Sequence, residues 1–542
     1  MTWPALRRFL EVPDALTGRG VRIALVDGEF TAHPDIAASP LRTTYQVRLA
    51  QEQPQPAPLP PSWEPWPDGA HGLWAAAAAA GSGAASGGRY QGLAPEAELY
   101  LIKAYVPGAN QTAQQAQANA LRWLAEHWRA YNIRGVQASI KGEHDSGLLP
   151  WQTDPLRVLC ERLASEGLLV VSGTGNHQDA TCWVTQAAAP SALAVGGVII
   201  PAEGTAERAA PYHGCRGTSF EGKWVPEVLA PAENVVLPWV PGAYLDAHCS
   251  SGSDALPHGY ARTEGSSFAG PIVLGAAACV WQKHPHWSAG QVQDALKRTC
   301  RQVPQWGALR AGLVDVQAAA ALSEPWANAG PSPYAQYQRW RARSVRERLA
   351  VARSAGDAEA VAALLSFLPE GVDSVVADVR TLLVPPAPRM RAALLCVLAA
   401  RPEQVDARDV LPALSDVDPY VRMAALYALR RCQQLWAAGG PHLAVLLADR
   451  NSDIAYAASE LAGEMKQPAL IAPLVRGLEQ DVQQNATYVW GARVRALEAM
   501  TAVHFPEEPE WRLGECPATA QRRAARAGVA RRWRAWLVDH QS

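Results

Sequence analysis

Three apolar segments in the first 300 residues predict buried secondary structure, and each of them lies next to a polar side chain. Residues 21–27 are mostly apolar and β-branched, which predicts a β-strand, and the last residue of this strand is an aspartate. Six consecutive alanines, Ala75 to Ala80, predict a helix that begins near His71, because alanine is the strongest helix former. A third apolar run, residues 272–281, predicts a helix that starts at Ser267. The pattern therefore places a carboxylate at the end of a strand, and an imidazole and a hydroxyl at the starts of helices.

Beyond residue 333 the hydrophobic pattern becomes helical throughout and repeats itself. The segment Met390–Leu398 recurs 31 positions later as Val421–Leu429, and more loosely from Ile454 and from Ala492. Periods of about 31–38 residues with paired amphipathic helices are typical of α-solenoids. Residues 416–422 have the D-x-D-P-x-V-R sequence of HEAT repeats, so we expect a HEAT-like solenoid.

A change in composition separates the two patterns. Residues 323–333 are rich in proline and glycine, which is typical of a linker between domains. We therefore predict an α/β domain over residues 1–328 and an all-α helical repeat domain over residues 329–542.

Composition excludes several classes of function. The net charge of −2 and the isoelectric point of 6.7 do not favour a nucleic-acid partner. No stretch reaches the roughly 18 consecutive apolar residues of a membrane span. Residues 1–10 lack the apolar run of a signal peptide, so we expect a cytoplasmic protein.

The nine cysteines have no paired spacing and form no metal-ligand motif. We expect reduced, structural thiols rather than a disulfide framework. One or two bridges among Cys160, Cys182 and Cys215 are the alternative.

The segment Gly265–Pro271 carries the most informative chemistry. Ser267 lies between small residues at a predicted helix start, where backbone N–H groups and the helix dipole favour a developing oxyanion. Such segments are also common N-caps, so the serine gains significance only from its partners. Those partners are the strand-end carboxylate Asp27 and the helix-start imidazole of His71.

The chain order Asp27, His71, Ser267 resembles that of the subtilisin-like serine proteases, and the resemblance covers roughly residues 18–322. It implies a doubly wound, mostly parallel sheet of the subtilisin type. Other segments resemble landmarks of the family in the same order. These are Gln91–Tyr100, Gly135–Ile140, Gly167–Asn176, Pro190–Gly196, Pro226–Pro231 and Gly312–Ala319.

The resemblance implies a role for each candidate catalytic residue. Ser267 would attack the carbonyl carbon, and His71 would take its proton and pass it to the leaving amine. Asp27 would orient the imidazole, and Asn176 would bind the oxyanion together with the backbone N–H of Ser267.

The resemblance also implies substrate-binding segments, and here the chain departs from the family. The candidate substrate-binding residues are Ser139, Ile140, Lys141, Ser172, Gly173 and Thr174. Lys141 replaces a common glycine, Gly28 and Glu29 follow the aspartate in place of Thr or Ser and then Gly, and Leu73 and Trp74 replace Thr and His. These changes alter the walls of the site, so they bear on substrate preference rather than on the chemistry.

Calcium is the cofactor to consider, since many relatives bind it at the position of Asp35 and on a nearby loop. Here that loop, Gly81–Tyr90, is small and uncharged apart from Arg89. The usual ligand set is incomplete, so we expect no strong calcium site, no other metal and no cofactor.

Two functions of different classes follow from the sequence. The first is an intracellular serine endopeptidase whose helical repeats recruit a protein or peptide substrate or a regulatory protein. This combination is similar to bacterial peptide-maturation and defence-effector proteases. The alternative is a catalytically silent interaction scaffold. The presence of Asp27, His71, Asn176 and Ser267 together favours the peptidase.

Overall fold

The computed structural model defines most of the chain. The described residues are 3–31, 33–51, 54–59, 70–105, 111–138, 145–202, 205–239, 256, 259–326, 331–354, 357–368, 376–381, 387–484, 486–507 and 519–540.

A ten-stranded sheet forms the centre of the first 326 residues. Its strands are β1 (Arg22–Asp27), β2 (Thr44–Arg48), β3 (Ala57–Pro58), β4 (Glu98–Lys103), β5 (Ile133–Ala138), β6 (Leu169–Gly173), β7 (Leu193–Ile199), β8 (Ala210–Pro211), β11 (Val228–Pro238) and β12 (Tyr260–Glu264). The order is β12-β11-β7-β6-β5-β1-β4-β2-β3, with β8 beside β7. Pairing is parallel from β11 through to β2 and antiparallel for β12, β3 and β8. A separate two-stranded sheet pairs β9 (Gly217–Thr218) with β10 (Trp224–Val225).

Helices cover both faces of the large sheet. They are α1 (Leu6–Phe9), α2 (Ala70–Ala80), α3 (Ala113–His127), α4 (Pro155–Ser165), α5 (Ser266–Lys283), α6 (Ala289–Arg298) and α7 (Val316–Ala321). Alternate residues of β1 face opposite sides: Ile23 and Leu25 pack with α2 and α5, whereas Ala24 and Val26 pack with α3 and α4. A strand buried on both faces needs apolar residues at every position, which explains the unbroken apolar runs.

This arrangement confirms the α/β fold predicted from the sequence. The sheet is mixed but mostly parallel, and helices lie on both of its faces. The helices predicted at His71 and Ser267 are α2 and α5, and both residues lie in the first turn.

The chain after residue 330 is helical among the described residues. Its helices are α8 (Pro333–Arg341), α9 (Val345–Ser354), α10 (Asp357–Leu365), α11 (Val376–Arg380), α12 (Pro388–Leu398), α13 (Ala407–Val410), α14 (Pro419–Arg431), α15 (Trp436–Leu446), α16 (Ser452–Met465), α17 (Ile471–Gln484), α18 (Tyr488–Thr501) and α19 (Thr519–His540). Helices α12, α14, α16 and α18 pack side by side in that order. The helical character is therefore confirmed, and the HEAT-like solenoid stays a prediction.

One ion pair recurs along these helices. Arg391 of α12 bonds Asp416 at 3.0 Å, and Arg422 of α14 bonds Asp449 at 2.7 Å. The two arginines occupy the same position of the sequence repeat. Each guanidinium uses two of its nitrogens on the carboxylate, so the pairs fix the orientation of the connecting segments.

The helical part is packed directly on the sheet-containing part. Leu148, Leu149 and Phe220 are buried in the core of the helical part. The hydroxyl of Tyr420, in the first turn of α14, donates to the carbonyl of Thr218 at 3.1 Å. The equivalent residue of α12, Arg389, stacks on the Phe220 and Tyr420 rings. The first turns of α12 and α14 thus face the sheet-containing part.

Two other expectations concern the thiols and the membrane. The cysteines in the described ranges are free and buried, namely Cys160, Cys182, Cys215, Cys279, Cys300, Cys396 and Cys432. Cys249 and Cys516 lie outside those ranges. Within the described part of the chain, every helix is too short or too polar to traverse a bilayer.

Candidate active site

An aspartate and a histidine meet at the carboxyl edge of the sheet. Asp27 is the last residue of β1 and is only 8% exposed. Its Oδ2 lies 2.7 Å from Nδ1 of His71, and its Oδ1 accepts the N–H of Gly28 at 2.8 Å. An ionised carboxylate only accepts hydrogen bonds, so Nδ1 carries the proton and Nε2 is left as the basic nitrogen. The His71 side chain is 42% exposed, so a substrate can reach it.

The residue after the histidine explains how α2 comes so close to β1. A Cβ atom on Gly72 would lie 2.1 Å from the carbonyl oxygen of Glu29. Only glycine allows this approach, because the obstructing atom belongs to rigid backbone. The His-Gly pair therefore sets the distance between the imidazole and the strand end.

Ser267 is the second residue of α5 and lies next to the histidine helix. The preceding helix cap, Gly265, has a φ of +150°, a conformation in which glycine is favoured. The ring of Phe268 lies 5.7 Å from that of His71 and 5.9 Å from that of Trp74. These ring contacts hold the start of α5 against the start of α2.

Asn176 is tied to the same helix start from the other side. Its Oδ1 accepts the N–H of Ser266 at 2.9 Å, and the Ser266 hydroxyl accepts the N–H of Gly175 at 3.0 Å. Since the amide oxygen is the acceptor in this pair, Nδ2 carries the donor hydrogens of Asn176. A Cβ on Gly173 would lie 2.4 Å from the carbonyl oxygen of Ser266. The end of β6 and the start of α5 are therefore fixed relative to each other.

The candidate substrate-binding residues fall into two groups. Ser139, Ile140 and Lys141 lie outside the described residues. Ser172 and Thr174 are buried, and the backbone of Gly173 packs against Ser266, so all three residues form part of the scaffold. Their assignment to substrate binding stays a prediction.

Sequence reasoning missed the residues that hold the catalytic candidates in place. Ser266 joins β6 to α5 through both its backbone and its hydroxyl, and Phe268 joins α5 to α2. Trp74 adds a hydrogen bond from Nε1 to the carbonyl of Pro238 at 2.6 Å. Aromatic residues next to small-residue motifs were the available signal, but the sequence does not indicate which rings contact each other.

The Asp35 carboxylate, which the resemblance links to calcium, is occupied by protein donors. It is fully buried, and it accepts the hydroxyl of Tyr260 at 2.6 Å and the N–H of Ala85 at 3.0 Å. The guanidinium of Arg42 donates to the Asp35 carbonyl at 2.5 Å, and burial lowers the pKa of Arg42 to about 10. A buried cation beside this carboxylate disfavours Ca²⁺, so these residues do not fit a calcium site.

Another group has the chemistry of metal ligands. Donor atoms of His213, Glu233 and Glu264 lie within 4.8 Å of one another. Glu264 Oε1 is 3.3 Å from Nε2 of His213 and accepts the hydroxyl of Tyr212 at 3.2 Å. His213 and Glu264 are therefore in direct contact, and Glu264 is also held by Tyr212.

The fold and this site lead to the class of protein. The sequence profile of the Subtilase family matches residues 18–321, which is more than half of the chain. The chain belongs to the Subtilase family, which confirms the resemblance seen in the sequence.

Individual relatives match the same half of the chain. Serine protease AprX of Bacillus subtilis (strain 168) is 28% identical over 297 residues, which are 52% of this chain and 61% of the relative. Subtilisin E of Bacillus subtilis (strain 168) is 27% identical over 311 residues, which are 56% of this chain and 66% of the relative. The chain thus spans less than two thirds of the length of both relatives.

Comparison with solved structures aligns the same part of the chain. Fervidolysin from Fervidobacterium pennivorans, a keratinolytic enzyme related to subtilisin, has 19% identity and a TM-score of 0.43, covering 60% of this chain and 46% of that chain. The protease domain of PatA has 21% identity and a TM-score of 0.40, covering 57% of this chain and 96% of that chain.

Proposed function

We propose that this protein is a serine endopeptidase in which Ser267 is the nucleophile, His71 the general base and Asp27 the group that orients it. The observation that carries the proposal is the 2.7 Å contact between His71 Nδ1 and Asp27 Oδ2. Asn176, which accepts from the residue before Ser267, supports the same assignment. Membership of the Subtilase family makes peptide bonds the substrate class.

The proposed reaction begins with attack of Ser267 Oγ on the carbonyl carbon of the scissile peptide bond. Nε2 of His71 takes the hydroxyl proton, and Asp27 stabilises the imidazolium that results. The Nδ2 hydrogens of Asn176 and the N–H of Ser267 stabilise the oxyanion of the tetrahedral intermediate. The imidazolium then protonates the departing amine, and water releases the acyl group by the same steps in reverse.

A fluorophosphonate probe tests this proposal against the scaffold alternative. The probe reacts only with an activated serine, so it should label the wild-type chain at Ser267 and leave Ser267→Ala unlabelled. A control variant, Ser354→Ala on the exposed end of α9, should be labelled like the wild type. A folded wild-type chain without label would support the silent scaffold instead.

We also propose that residues 1–328 form the peptidase domain and residues 329–542 form a HEAT-like repeat domain. The recurring Arg391–Asp416 and Arg422–Asp449 pairs support a repeated unit. Repeat domains ordinarily bind proteins or peptides, so recruitment of the substrate or of a regulatory protein is the proposed role. The free, buried thiols support an intracellular setting, which remains a proposal.

Exposed apolar side chains on the repeats offer a test of recruitment. Val417 is 93% exposed and Val445 is 71% exposed. Val417→Asp and Val445→Asp should lower cleavage of a protein substrate and leave hydrolysis of a short peptide unchanged, because only remote binding is lost. Cleavage of the protein substrate at the wild-type rate by both variants would contradict recruitment through these residues.

A further inference from the structure

The loop that follows the proposed oxyanion residue is covered by the helical part of the chain. Residues 177–183 continue directly from Asn176 and pack against the first turns of α16 and α18. Ala180 and Cys215 from the sheet-containing part share one buried apolar cluster with helical residues. Those helical residues are Ala455, Tyr456, Tyr488, Val489 and Ala492.

A buried carboxylate holds the middle of this loop. The N–H of Thr181 donates to Asp453 Oδ2 at 3.1 Å and lies 3.4 Å from Oδ1. Asp453 is only 4% exposed, so the bond lies in a desolvated environment. An unsatisfied backbone N–H in such a place is costly, which makes this carboxylate important for the position of the loop.

An aromatic ring holds the start of the same loop. The ring of His177, the residue after Asn176, lies 5.3 Å from that of Tyr488, and its Nδ1 lies 3.3 Å from the hydroxyl oxygen of Thr487. Tyr488 stacks on Tyr456 with 4.3 Å between the ring centres. The two tyrosines therefore present a rigid surface to the imidazole.

Close packing continues from this surface to the backbone that precedes Asn176. A Cβ on Gly175 would lie 2.6 Å from Trp183 Cβ and 2.9 Å from Cys215 Sγ. The N–H of Cys215 donates to the Gly175 carbonyl at 3.1 Å, and the N–H of Trp183 donates to the Thr174 carbonyl at 3.0 Å. Residues that touch the helices thus also enclose the turn that leads into Asn176.

We propose that Asp453 and Tyr488 are positioning residues for the oxyanion hole, so that the helical part completes the active site instead of only recruiting substrates to it. They act through the loop 177–183, which sets the position of Asn176. This inference rests on the proposed peptidase function.

A double-mutant cycle on the full-length chain tests the inference. Asp453→Ala is combined with Asn176→Ala, and kcat and KM for a short peptide are measured per serine titrated by a fluorophosphonate. Loss of one oxyanion donor costs about 10²–10³ in rate. If Asp453 acts through Asn176, Asp453→Ala should lower kcat about tenfold in the wild type, leave KM unchanged and have no further effect in Asn176→Ala.

Two further variants separate positioning from general stability. Asp453→Asn keeps an acceptor for the Thr181 N–H and should restore most of the kcat. Asp416→Ala removes a carboxylate that pairs with Arg391 inside the helical part, and it should leave kcat at the wild-type value.

The outcomes of the cycle are distinct. A wild-type kcat in Asp453→Ala, or an equal fold-loss in both backgrounds, would overturn the inference while the peptidase function stands. A wild-type chain that titrates no active serine would overturn the proposed function and the inference together. If Asp453→Ala does not fold, Tyr488→Ala, which removes the ring packed on His177, is measured in the same two backgrounds and decides the question.

Discussion

The Nδ1 nitrogen of His71 and the Oδ2 oxygen of Asp27 lie 2.7 Å apart at the carboxyl edge of the sheet. This contact predicts the effect of Asp27→Asn, which keeps the shape of the side chain but replaces an acceptor with an amide. The amide can donate to Nδ1 and so favours the wrong tautomer of the imidazole. We expect kcat to fall about 10⁴-fold with little change in melting temperature. A loss below about tenfold would show that Asp27 does not orient the base.

Alanine at Ser267 or His71 should abolish peptide hydrolysis while the fold persists. We expect losses of about 10⁴–10⁶ in kcat for Ser267→Ala and His71→Ala, and a smaller loss for Asn176→Ala. Circular dichroism checks the fold, and Ser354→Ala serves as the matched control. Activity that survives Ser267→Ala would refute the assignment.

Gly173→Ala should damage the site without touching a catalytic side chain. Its Cβ would lie 2.4 Å from the Ser266 carbonyl oxygen, so the start of α5 must move away from β6. A displacement of about 1 Å near a reacting group can cost about 10² in rate, and we expect a loss of this size. Gly307→Ala is the control, because no atom beyond the adjoining backbone lies within 4 Å of its Cβ. Equal activities for the two variants would contradict the tight contact.

The stability of the interface should depend on pH through Asp453. Burial raises the pKa of Asp453 to about 6, above the 3.8 expected for the unfolded chain. The folded state therefore binds the proton more tightly, and this contribution to stability is lost as the pH rises from 4 through 6. The Asp453→Asn variant has no carboxyl group to titrate at this position. The melting temperature of the variant minus that of the wild type should therefore increase as the pH rises from 4 to 6. The full shift corresponds to about 3 kcal/mol.

A second carboxylate, Asp179, interacts with Asp453 and is present in both chains. Burial also raises the pKa of Asp179. A difference in melting temperature that stays constant from pH 4 to 7.5 would contradict the prediction.

Removal of calcium by a chelator should leave the melting temperature of the protein unchanged, because the Asp35 site does not depend on an ion. The Asp35 carboxylate is held by Tyr260 and Ala85, so no ion needs to bridge it. Tyr260→Phe removes one of these donors and should destabilise the protein by about 1–3 kcal/mol. A chelator that lowers the melting temperature of the wild type by many degrees would refute the first expectation.

Much of the sheet-containing part could be predicted because its signals are local. The strand that ends at Asp27 and the helices at His71 and Ser267 follow from continuous apolar runs and small residues. The contacts that lock these pieces together are not local. Ser266 meets Gly175, 91 positions away, and no pattern in either segment indicates the pair.

The relation between the two halves was also beyond the sequence pattern. A composition break at residues 323–333 suggests independent modules, because the apolar faces of the repeats beyond it can pack against one another. The structure instead buries Asp453 against Thr181 and Phe220 in the helical core. A single polar residue at a repeat start carries no mark of its partner, because charged residues there usually serve as helix caps.

The docked first turns also limit how the chain can change during evolution. Arg389 and Tyr420 occupy equivalent positions of successive helices, and both contact the short segment from Thr218 to Phe220 of the sheet-containing part. Repeat proteins commonly gain or lose whole units, but a unit inserted between α12 and α16 would move Asp453 away from Thr181. We expect natural variation in the number of repeats to be confined to the region beyond α18, where the array can lengthen without moving Asp453 away from Thr181.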